Sequence, residues 1–207
     1  MTPGIEFWFD FASTYSYPAA MRIERHAAAA GIAVTWQPFL LGPIFAAQGW
    51  NDSPFNIYPA KGRYMWRDLE RLCTAGGIAF RRPSQFPRNG LLAARVANRF
   101  TTAAWAPEFC CSIFQANFAE DREIADPAVV RDCLDRLGLP GETLIAEAQS
   151  SGGKAALRYA VERAQAAGLF GAPSFVVAGE QFWGNDRLDA ALAWATQHFT
   201  PQAGVKG

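Results

Sequence analysis

The chain has no Cys-x-x-Cys. Its four cysteines, Cys73, Cys110, Cys111 and Cys133, and its two histidines fall in no zinc-ligand spacing, which argues against both a metal module and a dithiol redox site. Cys110 and Cys111 are adjacent, would point to different sides of a helix, and make poor disulfide partners. Free thiols in a reducing compartment are expected, and with them a cytoplasmic location. Charge of one sign is also missing: Lys plus Arg and Asp plus Glu each number 19, so nothing draws the chain to nucleic acid or an anionic membrane. No run approaches the roughly 18 apolar residues of a membrane span. The first residues lack a basic segment, and Glu6 and Asp10 break their apolar run, which predicts no signal peptide. There is no internal repeat and no low-complexity tract.

What is abundant is aromatic, with 16 Phe and 7 Trp in 207 residues, enough chain to bury a sizeable core. Ile5 to Phe11 reads as a strand buried on both faces, because a water-facing side would impose alternation. Ser13, Thr14 and Ser16 can each cap a helix, and Pro18 suits a first turn; the helix is expected from about Thr14 to Ala30, ended by Gly31. Ile32, Val34, Trp36 and Leu40 then make a second strand, parallel to the first in a right-handed βαβ unit. A helix start beside a tight polar turn aims backbone N–H groups and a positive dipole end at whatever lies next to Ser13.

Leu41 to Pro59, rich in Gly, Pro and Asn, reads as a long irregular loop, and such loops are usually functional when they carry surface to bury, here Trp50, Phe55 and Tyr58. Helical spacing then runs from Lys61 to Ser151, and a longer helix covers Lys154 to Ala167. After Gly168 to Pro173 come a strand, Ser174 to Ala178, a Gly179-Glu180 turn, a strand, Gln181 to Trp183, and a cap, Gly184-Asn185-Asp186, before a last helix. The fold class is α/β: a thioredoxin-like fold with a large all-helical insertion, residues 1–59 and 152–207 forming the thioredoxin-like domain and 60–151 the insertion.

Three stretches carry a family resemblance. Ser13-Thr14-Tyr15-Ser16 occupies the strand–turn–helix position where thioredoxin-like proteins keep their Cys-x-x-Cys. Gly171-Ala172-Pro173-Ser174-Phe175 resembles their Gly-Val-Pro-Thr-Phe segment, whose proline is cis and faces the active-site turn. Phe9 to Tyr17 resembles the Phe-Asp-x-x-Ser-Pro-Tyr-Ser-Tyr signature, and Phe182 to Leu188 the Trp-Gly-x-Asp-Arg-Leu segment, of 2-hydroxychromene-2-carboxylate isomerases and kappa-class glutathione transferases. The chain departs from that pattern at Thr14, where the family usually has proline, and between Leu40 and Gln48, where the isomerases carry a lysine and this chain has no basic residue.

The resemblance implies a glutathione-dependent enzyme, a homodimer, acting on a small aromatic substrate in aromatic catabolism. Ser13 would stabilise the glutathione thiolate; Ala172 and Pro173 would pair with the cysteine backbone; Trp183, Gly184, Asn185 and Asp186 would meet the γ-glutamyl end; Asn51 and Lys61 would reach the other end. Trp50, Asn56 and Trp66 are assigned to the second-substrate side; the rings of Trp50, Phe55 and Trp66 suit gripping a flat ring and suit core packing equally. Two other readings stay open on the residues alone: a kappa-like transferase or peroxidase using the same thiolate on another electrophile, and a non-catalytic thioredoxin-like binding module. Ser13, Asn185 and Asp186 also suit plain helix capping.

Overall fold

The structure, a computed structural model, describes residues 4–199. Four strands form one mixed sheet in the order β2-β1-β3-β4, made of β1 (Gly4–Phe9), β2 (Ala33–Pro38), β3 (Ser174–Val177) and β4 (Glu180–Trp183). β1 runs parallel to β2, and β3 runs antiparallel to both β1 and β4. α1 (Ser16–Ala30) joins the parallel pair.

β1 is covered on both faces, as its unbroken apolar run requires. Ile5, Phe7 and Phe9 enter the main core with Trp36 and Phe175, while Trp8 turns to a second cluster with Phe39, Ile44, Val161, Ala164 and Leu169. The interrupting Glu6 is accommodated at the edge of that second face, where it accepts from the Trp8 indole (2.8 Å) and pairs with Arg163.

Between β2 and β3 lie eight helices. The expected 41–59 loop is instead largely helical: α2 (Leu41–Ala47) and α3 (Pro54–Ile57) occupy it, and α4 begins at Pro59 (Pro59–Gly76). The reason is a cap supplied from far away. The Asp10 carboxylate accepts the Leu41 N–H at 2.7 Å, giving the first turn of α2 a side-chain acceptor that its own neighbours lack. Ser53 caps α3 locally, and Pro43 and Pro54 sit in first turns where a missing N–H costs nothing. α5 (Leu91–Arg99), α6 (Ala106–Phe118), α7 (Pro127–Asp135), α8 (Gly141–Gln149) and α9 (Ser151–Ala166) follow, with Asp126 capping α7 through Ala128 N–H at 2.8 Å. The proposed boundary at 151/152 thus falls in the first turn of α9. A short 3₁₀ turn (Asn185–Arg187) leads into α10 (Leu188–Phe199).

The main core runs from sheet to helices without a break: Phe9 and Phe11 pack on Phe114, and Tyr17 stacks on Phe118. All four cysteines are free thiols. Burial pushes Cys73 up to about 11 and Cys111 to about 12, the opposite of an activated redox thiol.

Candidate active site

α1 starts at Ser16, two residues later than its spacing predicts, and its N-cap position is Tyr15 with no side-chain cap. The turn before it is built by Asp10 and Ser13. Ser13 N–H donates to the Asp10 carbonyl (2.9 Å), and Ala12 N–H to the Asp10 carboxylate (2.8 Å). That carboxylate is almost fully buried, so burial raises its pKa, while the two backbone N–H groups from Leu41 and Ala12 act against the rise.

Ser13 is the meeting point of the two halves of the fold. Its hydroxyl donates to the Ala172 carbonyl at 2.9 Å and accepts the Ser16 N–H at 3.3 Å. The Ala172–Pro173 bond is cis, as the resemblance implies. Ser174 continues as β3 opposite Trp183, and Gly184 N–H closes the hairpin on the Pro173 carbonyl (2.9 Å). Gly184 has φ 116°, a conformation that side-chain-bearing residues rarely adopt, so the chain needs a glycine to turn here into the 3₁₀ segment. Ser13 is only 9% exposed, whereas Trp183 is 53% exposed and packs edge-on against Phe170 (4.9 Å between ring centroids).

The other residues of the turn are engaged elsewhere. Thr14 donates to the Met65 sulfur (2.9 Å) and Tyr15 to Asp68 (3.0 Å), both on α4, and Tyr17 donates to the Ala79 carbonyl. Burial raises the Tyr15 phenol pKa, and the neighbouring Asp68 carboxylate adds to the rise. Ser16 Oγ is buried and has no hydrogen-bond partner among the described residues.

Asn185 and Asp186 differ sharply. Asn185 is buried, and Arg22 of α1 donates to both its backbone carbonyl and its side-chain oxygen (3.1 Å for the latter), so its amide braces the final turn against α1. Asp186 keeps its side chain 71% exposed, with Arg187 at 3.2 Å, and its charge acts on both Tyr15 and Arg22. The carboxylate is thus open to solvent, with Arg187 as its ion-pair partner.

The remaining candidates lie on α2 to α4. Trp50 packs on Phe45; Asn51 is exposed; Asn56 donates to Asp52 (3.1 and 3.2 Å) and to the Phe86 carbonyl (3.3 Å). Lys61 is exposed, its ammonium 5.3 Å from the Tyr58 ring centroid. Trp66 is nearly buried, edge-on to Phe86, with the Arg82 guanidinium 4.9 Å over its ring. Phe55 comes within 6.1 Å of the Tyr15 ring, which ties this segment to the Ser13 turn. Sequence reasoning missed Arg22, Asp68 and Met65 because each acts on a residue at least 51 positions away, and no local pattern signals such a partner.

A DSBA-like thioredoxin domain matches residues 4–193. The chain is 30% identical over 191 residues to the 2-hydroxychromene-2-carboxylate isomerase of Sphingobium xenophagum, covering 91% of this chain and 96% of that one. It is 30% identical over 193 residues to the enzyme of the same name from Pseudomonas putida, covering 89% and 90%. A solved structure of 2-hydroxychromene-2-carboxylate isomerase superposes with TM-score 0.83 over 94% of this chain and 95% of that one at 23% identity, a likeness of fold. With a cis-proline facing a thiol-free Ser13 turn and near-complete coverage of these relatives, the chain belongs to the DSBA-like thioredoxin-domain family that includes the 2-hydroxychromene-2-carboxylate isomerases.

Proposed function

We propose that the protein is a glutathione-dependent isomerase that interconverts 2-hydroxychromene-2-carboxylate and trans-o-hydroxybenzylidenepyruvate. The observation that carries this reading is the Ser13 hydroxyl, fixed between Ser16 N–H and the Ala172 carbonyl beside cis-Pro173. When bound, glutathione supplies a thiolate that adds reversibly to the substrate's double bond and so permits rotation about it.

The residues fit that group. Ser13 gives up a neutral acceptor, the Ala172 carbonyl, for a charged sulfur, and hydrogen bonds to ionised groups are the stronger kind. The same rotation of the hydroxyl frees the Ala172 carbonyl for a peptide N–H, so the exchange leaves neither group unpaired. Ser13 Oγ keeps the Ser16 N–H throughout, and the α1 dipole adds to the field at its N-terminus. A free thiol with pKa near 8.5 is a few per cent ionised at pH 7, and a two-unit drop, about 2.7 kcal/mol, makes it mostly thiolate. A charge-assisted hydrogen bond of about 1.5–3 kcal/mol supplies that order of magnitude. Asp186 offers its exposed carboxylate to the γ-glutamyl ammonium, while Asn185, spent on Arg22, holds the turn that presents it.

A second reading, a transferase acting on another electrophile, draws on one observation: α2 and its flanks, residues 40–48, offer no cation to a substrate carboxylate. One experiment separates the two. Purified protein with glutathione is mixed with 2-hydroxychromene-2-carboxylate and followed by the absorbance of the ring-opened product. Glutathione-dependent conversion with no net consumption of thiol supports the isomerase; glutathione binding without conversion overturns it.

A further inference from the structure

We propose that Asn117, on α6 of the inserted helices, is a positioning residue for the Ser13 turn, set in place by the buried guanidinium of Arg88. Asn117 is 2% exposed and Arg88 is 5% exposed. Asn117 Nδ2 donates to the Phe11 carbonyl at 3.0 Å, two residues before Ser13. Arg88 donates to Asn117 Oδ1 (3.1 Å) and to its backbone carbonyl (3.3 Å). The amide orientation follows from chemistry: guanidinium has no acceptor and a carbonyl no donor, so Oδ1 must face Arg88 and Nδ2 must face Phe11. Arg88 is held in turn by Ser84 and Asp121.

This chain of donors runs one way, from cation to amide to carbonyl, and each link polarises the next. It ends on the peptide that fixes where the turn leaves β1. Gly90 packs closely against the same residue, and a Cβ built on it would come within 2.9 Å of Phe11 Cβ. Ser13 is thereby tied directly to Ala172, and the chain two residues before it to Asn117.

Asn117→Asp is the sharp test. The carboxylate still accepts from Arg88 but turns an acceptor toward the Phe11 carbonyl, so one link is lost and its neighbour kept. The amides of Ser13 and Ser16 should then exchange with solvent about tenfold faster, with β2 amides unchanged. The consequence for glutathione rests on the function proposed above: the thiol pKa of the bound tripeptide should rise by about one unit, which from about 6.5 cuts the thiolate at pH 7 roughly threefold. Faster exchange at Ser13 and Ser16 in a protein whose wild type binds no glutathione would sustain the positioning role and sink the isomerase reading. Unchanged exchange in folded Asn117→Asp, or faster exchange spread evenly over the molecule, overturns the positioning role. Should that variant not fold, the wild type decides the matter. One Nδ2 proton of Asn117 should exchange slowly, like a buried backbone amide, and free exchange of both overturns the assignment.

Discussion

The two regions that face each other across the candidate site are fastened in opposite ways. The Ser13 turn is buried and tied by bonds to residues 51 to 159 positions away, Met65, Asp68, Asn117 and Ala172. The segment from Trp50 to Lys61 is mostly exposed and tied mainly to itself, through Asp52 to Asn56 and Ser53 to Phe55, with longer links from Asn56 to the Phe86 carbonyl and from Phe55 to the Tyr15 ring. A turn with many distant fasteners moves little, so the Ser13 oxygen is in place before any ligand arrives and only its hydroxyl proton has to turn away from the Ala172 carbonyl. A segment with local fasteners can change sequence and shape at small cost to the core. The difference teaches that the Ser13 turn is set by the fold, while the segment from Trp50 to Lys61 is fixed chiefly by its own local contacts.

The largest break in that comparison should come from Ser13→Ala. On the proposed mechanism it removes a hydrogen bond to a charged sulfur, about 1.5–3 kcal/mol, so kcat/KM should fall roughly tenfold to a hundredfold. The protein should remain folded, because the lost contacts, to the Ala172 carbonyl and from Ser16 N–H, are two neutral bonds. Titrating the thiolate absorbance of bound glutathione gives the direct reading, and an unshifted thiol pKa would remove Ser13 from the mechanism.

Much of this geometry was legible in the residues, and the illegible part has a common cause. The apolar run at β1, the Gly171–Pro173 break and the Gly184 turn are local patterns, and each appeared where its chemistry placed it. Helix α2 was not legible, because its cap is Asp10, 31 residues earlier. The start of α1 was displaced for a related reason: Thr14 reads as a cap but spends its hydroxyl on Met65. Asn185 reads as a cap too, yet its amide faces Arg22, 163 residues away. Periodicity reports which face is buried; it does not report which distant polar atom will claim a side chain.

Acid should attack the buried half first. The Asp121 carboxylate is held by Ser84 N–H and by Arg88, which bring its pKa from 3.8 down to about 2. Between these values the unfolded chain binds the extra proton, so stability from this group is complete above pH 3.8 and is lost as pH falls toward 2. Asp10 works with the opposite sign. Burial raises its pKa, the folded state binds the extra proton, and its contribution declines as pH rises above 3.8. Asp121→Asn should flatten the acid limb of a melting-temperature profile, and Asp10→Asn should steepen it. An acid limb unaltered by Asp121→Asn would show that Arg88 is anchored without Asp121.

Asp186→Asn should separate ligand binding from folding. At 71% side-chain exposure its pairing with an ammonium is screened by water, so the expected loss is about 0.5–1 kcal/mol, twofold to fivefold in glutathione Kd. The effect should shrink with added salt. The melting temperature should hold, since the residue makes no cap bond and Asn185 braces the turn. Calorimetric titration showing an unaltered Kd at low salt would leave Asp186 as surface only.

The smallest effect is expected at Lys61, and it tests the comparison from the other side. Its ammonium is solvated and rests near the Tyr58 ring without a carboxylate partner in reach of an ion pair among the described residues. If the segment from Trp50 to Lys61 can change at small cost, Lys61→Ala should change glutathione Kd less than about threefold, the usual worth of an exposed charge. A substrate carboxylate that relied on Lys61 would behave differently: KM for the second substrate would rise at constant glutathione affinity, and Lys61→Arg would restore it in part. A loss of glutathione binding beyond about tenfold would instead make Lys61 an anchor of the tripeptide, comparable to Ser13 in weight. The two halves of the site would then share the same task, and local fastening would no longer mark the part that can change at small cost.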